Sequence, residues 1–148
     1  MTTATREQVA TALFNLLVGS SQFLTTSRRF LSDDQIASAQ KPAIFLLDDD
    51  EQHTRGKQLV PAVRETNFEC LMFISAGLDP NTVPGTTLNN LIDAIDPVSG
   101  GVLKPGINGR QTLGGLVTDC YIEGKIIKAP GDISGLGAAR IPIKVIFM

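Results

Sequence analysis

Tryptophan is absent, tyrosine occurs once, and aromatic residues make up only 5% of the 148-residue chain. Stacking platforms for single-stranded nucleic acid would have to be assembled from scattered phenylalanines, and none is expected. A dominant charge is also lacking. Thirteen basic against fifteen acidic residues leave a net charge of -2, so no global positive field draws the chain onto nucleic acid or an anionic membrane. The pair Arg28 and Arg29 remains as a local basic contact. No apolar run approaches the roughly 20 residues of a membrane-spanning helix. Residues 1–8 carry Arg6 and Glu7 instead of a basic stretch followed by an apolar one, so no signal peptide is expected. Cys70 and Cys120 are the two cysteines, far apart and without C-x-x-C or Cys/His ligand spacing. That favours reduced core thiols in a cytosolic protein over a long-range disulfide.

Apolar residues, at 43%, are plentiful. A chain of this length buries about 68–70% of its unfolded surface in one domain, enough to fold without a metal or disulfide. A mean hydropathy of +0.12 leaves a slight apolar excess that subunit contacts could absorb.

Thr5 and Gln8 form a capping box ahead of Val9, Leu13, Leu16 and Leu17 on one helical face, and Gly19 stands where the helix should stop; the spacing predicts a helix over 6–18. Residues 23–31 read as extended around the arginine pair, and Asp33 is a candidate cap for a short helical turn through Ala39. Pro42 opens an apolar run over 43–47 that suits a buried strand. The stretch from Asp48, Asp49, Asp50 and Glu51 through His53 and Arg55 to Lys57 has no periodicity and reads as an exposed, mobile loop. In the strand expected over 62–76, Phe68, Cys70, Met72 and Ile74 alternate with Glu69, Leu71 and Phe73. One-sided at first, it becomes apolar on both faces.

A turn over 79–85 precedes Leu88, Leu91, Ile92 and Ile95 at helical spacing, with Thr86 or Thr87 as cap and Pro97 as terminator, which predicts a helix over 87–96. Residues 98–115 form a long Gly/Pro-rich connection that carries Val98, Val102, Leu103 and Ile107. Loops beyond about 12–15 residues without structure of their own tend to be functional or disordered, and these apolar residues argue against disorder: they either tuck against the chain's own core or contact a neighbouring subunit. Strands over 116–128 and 140–147 complete an α+β domain: a mainly antiparallel or mixed sheet with two helices packed on one face. Its expected core includes Leu13, Leu17, Ile44, Met72, Ile74, Leu91, Ile95, Ile122, Ile143 and Val145.

Catalytic motifs fail individually. Gly135-Leu136-Gly137-Ala138-Ala139 half-resembles a dinucleotide loop but leads toward a strand, with no helix N-terminus to hold a pyrophosphate. Neither a phosphate-binding G-x-x-x-x-G-K-[ST] loop nor a G-x-S-x-G elbow occurs. His53 is the sole histidine and reads as solvated. The four consecutive acids lack the alternating spacing of a calcium loop, and Asp93 and Asp96 share one helix face as its polar side. No catalytic residue, cofactor or metal is expected.

The order of elements, with Ser27-Arg28-Arg29-Phe30, Pro42-Ala43-Ile44-Phe45, Leu113-Gly114-Gly115-Leu116-Val117 and Ile141-Pro142-Ile143-Lys144-Val145, resembles tail terminator and related minor tail proteins of long-tailed bacteriophages. The resemblance covers nearly the whole chain and departs from better-known members in the connection over 98–115. It implies an α+β subunit without enzymatic activity or cofactor. Six copies would form a ring that caps the tail tube, stops its polymerisation and offers a surface to a head-completion or neck protein. Assembly would take place in the host cytoplasm, and the product would belong to the virion tail. On this reading 98–115 contributes to the ring interface, and the acidic segment over 48–57 docks a partner or faces the channel. A small-molecule or peptide-binding domain, with its concavity between the connection and the sheet, is the alternative.

Overall fold

The computed structural model describes residues 4–19, 22–31, 35–55, 62–75, 81–106, 108–130 and 136–148. Helix α1 spans Arg6–Val18 and begins with the expected reciprocal cap. The Gln8 amide donates to Thr5 Oγ1 at 3.1 Å, and the Thr5 amide donates to Gln8 Oε1 at 2.8 Å. The Gly19 amide closes the helix on the Asn15 carbonyl. Val9, Ala10, Leu13 and Leu17 form its buried stripe.

Six strands build one mixed sheet. These are β1 (Thr25–Ser27), β2 (Ala43–Thr54), β3 (Val63–Ser75), β4 (Asp119–Ile122), β5 (Ile127–Ala129) and β6 (Leu136–Phe147). The order is β1-β2-β3-β6-β4, with β5 also on β6; β1 runs parallel to β2 and all other pairs are antiparallel. Helix α2 (Pro84–Asp93) lies between β3 and β4 in sequence and packs on β3 and β6.

Register explains the core. Phe68, Cys70 and Met72 stand opposite Ile143, Ile141 and Ala139, while Ile44 and Leu46 stand opposite Met72 and Cys70. Because side chains alternate across a strand, all of these face one side, where the stripes of α1 and α2 cover them in one cluster. Of the expected core residues, Ile122 alone is half-buried, and the other nine are buried. The opposite face of β3 carries Leu71 and Phe73, which pack with Ala43, Phe45 and Ile36 in a second, smaller cluster. The strand is therefore apolar on both faces toward its end, as its sequence indicates.

Several boundaries differ from expectation. α2 starts at Pro84, with Val83 as an N-cap that makes no side-chain cap bond. Thr86 and Thr87 lie inside the helix: proline presets the first helical φ and has no N–H to satisfy, so the helix can begin there without a hydroxyl cap. The extended stretch over 23–31 contracts to β1. The strand expected over 116–128 is two short ones, β4 and β5. Asp33 and the first residues of the turn over 79–85 lie outside the described residues.

Part of the connection over 98–115 is packed, which corrects the reading of Leu103 as an inter-subunit contact. Amides of Gly101, Val102 and Leu103 donate to the carbonyls of Asp96, Ala94 and Ile95. Gly101 sits so close to the end of α2 that a Cβ there would meet Ile95 C at 2.5 Å. Leu103 is 0% exposed, and Leu113 and Val117 join it in the main core. Leu103 and Leu113 of the connection close their own domain's core, and Val102 packs against it.

The thiols of Cys70 and Cys120 are free, buried, and pushed up to about 12 by that burial. Cys70 stands opposite Ile141 and Cys120 opposite Val145, on the two strands flanking β6. Two strand spacings amount to about 10 Å, beyond the roughly 7 Å limit between Cα atoms for a disulfide.

Candidate functional site

The acidic segment is a strand, which corrects its reading as a mobile loop. After a bulge between Asp48 and Glu51, residues Glu51, Gln52, His53 and Thr54 pair with Thr66, Glu65, Arg64 and Val63. Ladder hydrogen bonds with β3 outweigh the low strand propensity of the acids. Deleting 49–55 would therefore remove sheet pairing and could not leave stability unchanged. The outer edge of this part of β2 has no strand partner among the described residues, and a row of charge on such an edge discourages edge-to-edge aggregation. Asp48, Asp49, Asp50 and Arg55 are exposed, whereas Lys57 lies outside the described residues. Across the bulge, Asp48, Asp49 and Glu51 line one concavity beside Arg6, whereas Asp50 accepts from Asn67 Nδ2 at 2.5 Å. Among the described residues no cluster of His, Cys, Asp and Glu could hold a metal ion.

Glu51 has a structural task. Arg6 Nη2 and Nε donate to its carboxylate at 2.7–3.0 Å, Thr66 Oγ1 donates at 3.0 Å, and His53 Nε2 lies 2.5 Å away. Hydrogen bonds from Arg6 above all, with His53 and Thr66 behind, hold the carboxyl down at about 2 against the opposing effect of burial. Arg28 similarly pairs with Glu7 and, at 3.5 Å, with Asp48. These bridges fasten the start of α1 to β2. Because the folded-state value lies below the ordinary 4.5, the contribution of Glu51 is present above pH 4.5 and is lost as pH falls toward about 2. Glu51→Gln is expected to destabilise the protein at neutral pH, with the deficit shrinking through that window. Urea midpoints measured at successive pH values check it, and parallel curves would refute it.

Asp96 accepts from the Val98 amide at 2.8 Å and caps the 3-10 turn Pro97–Ser99. Within β6, Leu136, Gly137, Ala138 and Ala139 lie in extended backbone with no helix after them, and Gly135 lies outside the described residues. Among the described residues no helix is long and apolar enough to cross a membrane.

The residues expected at a ring interface separate. Leu103 is core, Val102 packs half-buried against that core, Ile107 lies outside the described residues, and Val98 stands 93% exposed at the apex of its turn.

Two concavities contrast. One, of about 260 Å3, lies between α1 and the sheet beside Arg6, Asp49 and Glu51; its charges at Arg6 and Glu51 already satisfy each other. The second, of about 440 Å3, lies on the sheet face away from the helices, where Phe30, Leu71, Phe73, Ile127, Ala138 and Arg140 line it. Phe30 and Ile127 are each 50% exposed. Sequence inspection misses this groove because Phe30, β3, β5 and β6 come together only through register. Toward the other end the same face turns polar, with Lys144 bridging Glu65 at 3.5 Å and Glu123 at 2.6 Å, and Arg140 lying 3.6 Å from Glu69. One face of the sheet thus offers a packed helical layer, and the other an open apolar groove beside a charged ladder. The chain matches no model of a known protein family and no curated protein sequence.

Proposed function

We propose that this chain is a structural subunit of a ring. Following the resemblance to tail terminators of long-tailed bacteriophages, the ring is a hexamer that caps a tail tube, halts its growth and presents a surface to a head-completion or neck protein. The observation that carries the reading is the groove over Leu71, Phe73 and Ala138, flanked by half-exposed Phe30 and Ile127. Exposed contiguous apolar surface rimmed by charge is the mark of an interaction site, and here it belongs to a chain with an apolar excess overall. The alternative, a ligand site between connection and sheet, has less support, because Leu103, Leu113 and Val117 pack as core and the concavity of about 600 Å3 that Gly100, Gly101, Val102 and Lys104 do line is shared with Leu16, Asn90 and Asp93 of the two helices.

Sedimentation velocity on the purified chain, alone and with isolated tail tubes, tests the reading. A closed oligomer of six subunits, or capture of the chain at one end of the tube with arrest of further growth, is the expected result. A species that stays monomeric and neither binds nor stops tubes would refute it.

A further inference from the structure

Val98 is a rigidly presented hydrophobe. Its amide is held by Asp96, Pro97 sets the backbone before it, and the turn closes through the Gly100 amide on the Pro97 carbonyl at 3.2 Å. Behind the turn Gly101 is wedged against the end of α2. An apolar side chain 93% exposed on such a support needs little ordering when a partner covers it, which lowers the entropic cost of binding. It does nothing for the core of its own chain.

The turn belongs to the helical layer, because α2 buries Leu88, Leu91 and Ile92 in the main cluster on one face of the sheet. The groove of Phe30, Leu71, Phe73, Ile127 and Ala138 belongs to the other face. No chain can bring its own Val98 to its own groove. A contact between the two in different copies joins unlike surfaces, and repetition of unlike-surface contacts generates rings when the rotation closes. Charge agrees with this pairing. Acidic Asp93 and Asp96 accompany Val98, with Lys128 beside them, while Arg140, 3.6 Å from Glu69, lines the groove and Arg29 adjoins Phe30 in the chain. Two Val98 turns facing each other would bring their aspartates together.

We propose that Val98 of one copy seats in the groove of the next, between Phe30 and Ile127, with Asp96 turned toward Arg140. This contact rests on the ring reading and supplies its subunit interface. It replaces Leu103, which the core has claimed, and retains one residue of the connection as the contact.

Cross-linking tests the contact. Chains carrying Val98→Cys are mixed with chains carrying Ile127→Cys and oxidised; Cys70 and Cys120 contribute little background because both are buried with raised thiol pKa values. A disulfide that forms in the mixture and in neither variant alone is the expected outcome. In parallel, Val98→Asp should weaken association by about tenfold or more, as loss of a central interface residue does, while its thermal unfolding matches the parent. A closed oligomer whose mixtures stay unlinked overturns the groove assignment and leaves the ring standing. Linked chains that grow without a closed mass keep the groove and overturn the ring. Val98→Cys linking to itself shows a like-to-like contact and overturns the proposal, and a chain that remains monomeric and unlinked at every concentration overturns both.

Discussion

Leu103→Asp is expected to unfold the isolated chain and not merely to disperse an assembly. Leu103 is 0% exposed and packs among α1, α2 and the sheet within the main core. Truncating a buried leucine costs about 2–5 kcal/mol through lost burial and the cavity left behind. The carboxylate adds a further penalty, for it must be buried without a partner or be protonated to enter. Against a total stability of about 5–15 kcal/mol for a domain of ordinary size, the sum removes most or all of the folded population. Circular dichroism and urea unfolding of the purified variant check this. A folded variant with parental stability would put Leu103 on the surface and reopen the connection as an interface. Val98→Asp, only five positions earlier, is expected to leave the fold intact, so the two variants separate core from contact within one segment.

Leu13→Ala is expected to cost about 2–5 kcal/mol. Leu13 is 0% exposed at the centre of the α1 stripe, where it helps dock the helix on the sheet. The urea midpoint should fall at an unchanged slope, since the surface exposed on unfolding is nearly the same. Ile122, half-buried on the short edge strand β4, should lose clearly less when truncated to alanine. Equal losses at the two positions, or a Leu13 variant within about 1 kcal/mol of the parent, would contradict the packing of α1.

Local signals were legible wherever a residue's partners lie close in sequence. The Thr5 and Gln8 box and the following stripe define α1 because capping and 3.6-residue periodicity act within a few turns. Alternation in Phe68, Cys70, Met72 and Ile74 identifies β3 because the pleat repeats every two residues. The two-sided apolar end of that strand was legible for the same reason, and with it the α+β class.

Long-range pairing was illegible. Asp48, Asp49, Asp50 and Glu51 resemble a loop by composition, yet β3 already exposes a row of backbone donors and acceptors beside them, and pairing satisfies it. Polar composition marks what water accepts, and a solvated edge strand is acceptable to water too. Leu103 failed as an interface residue for a related reason. A long stretch with many glycines gives no period, so nothing local tells whether its apolar residues point inward or outward; the answer came from three backbone hydrogen bonds to the end of α2. The cysteines behaved alike, since their separation depends on which strands flank β6.

By itself the sequence determined the class of the fold, its first helix, the doubly apolar strand and the membership of most of the core, all of which follow from periodicities acting over a few residues. Only the tertiary structure decided that the acidic run is a strand, that Leu103 belongs inside while Val98 stays outside, and that Phe30, Ile127 and Ala138 share a groove. Those outcomes depend on strand register and on the docking of distant segments, where the free energy comes from groups far apart in the chain.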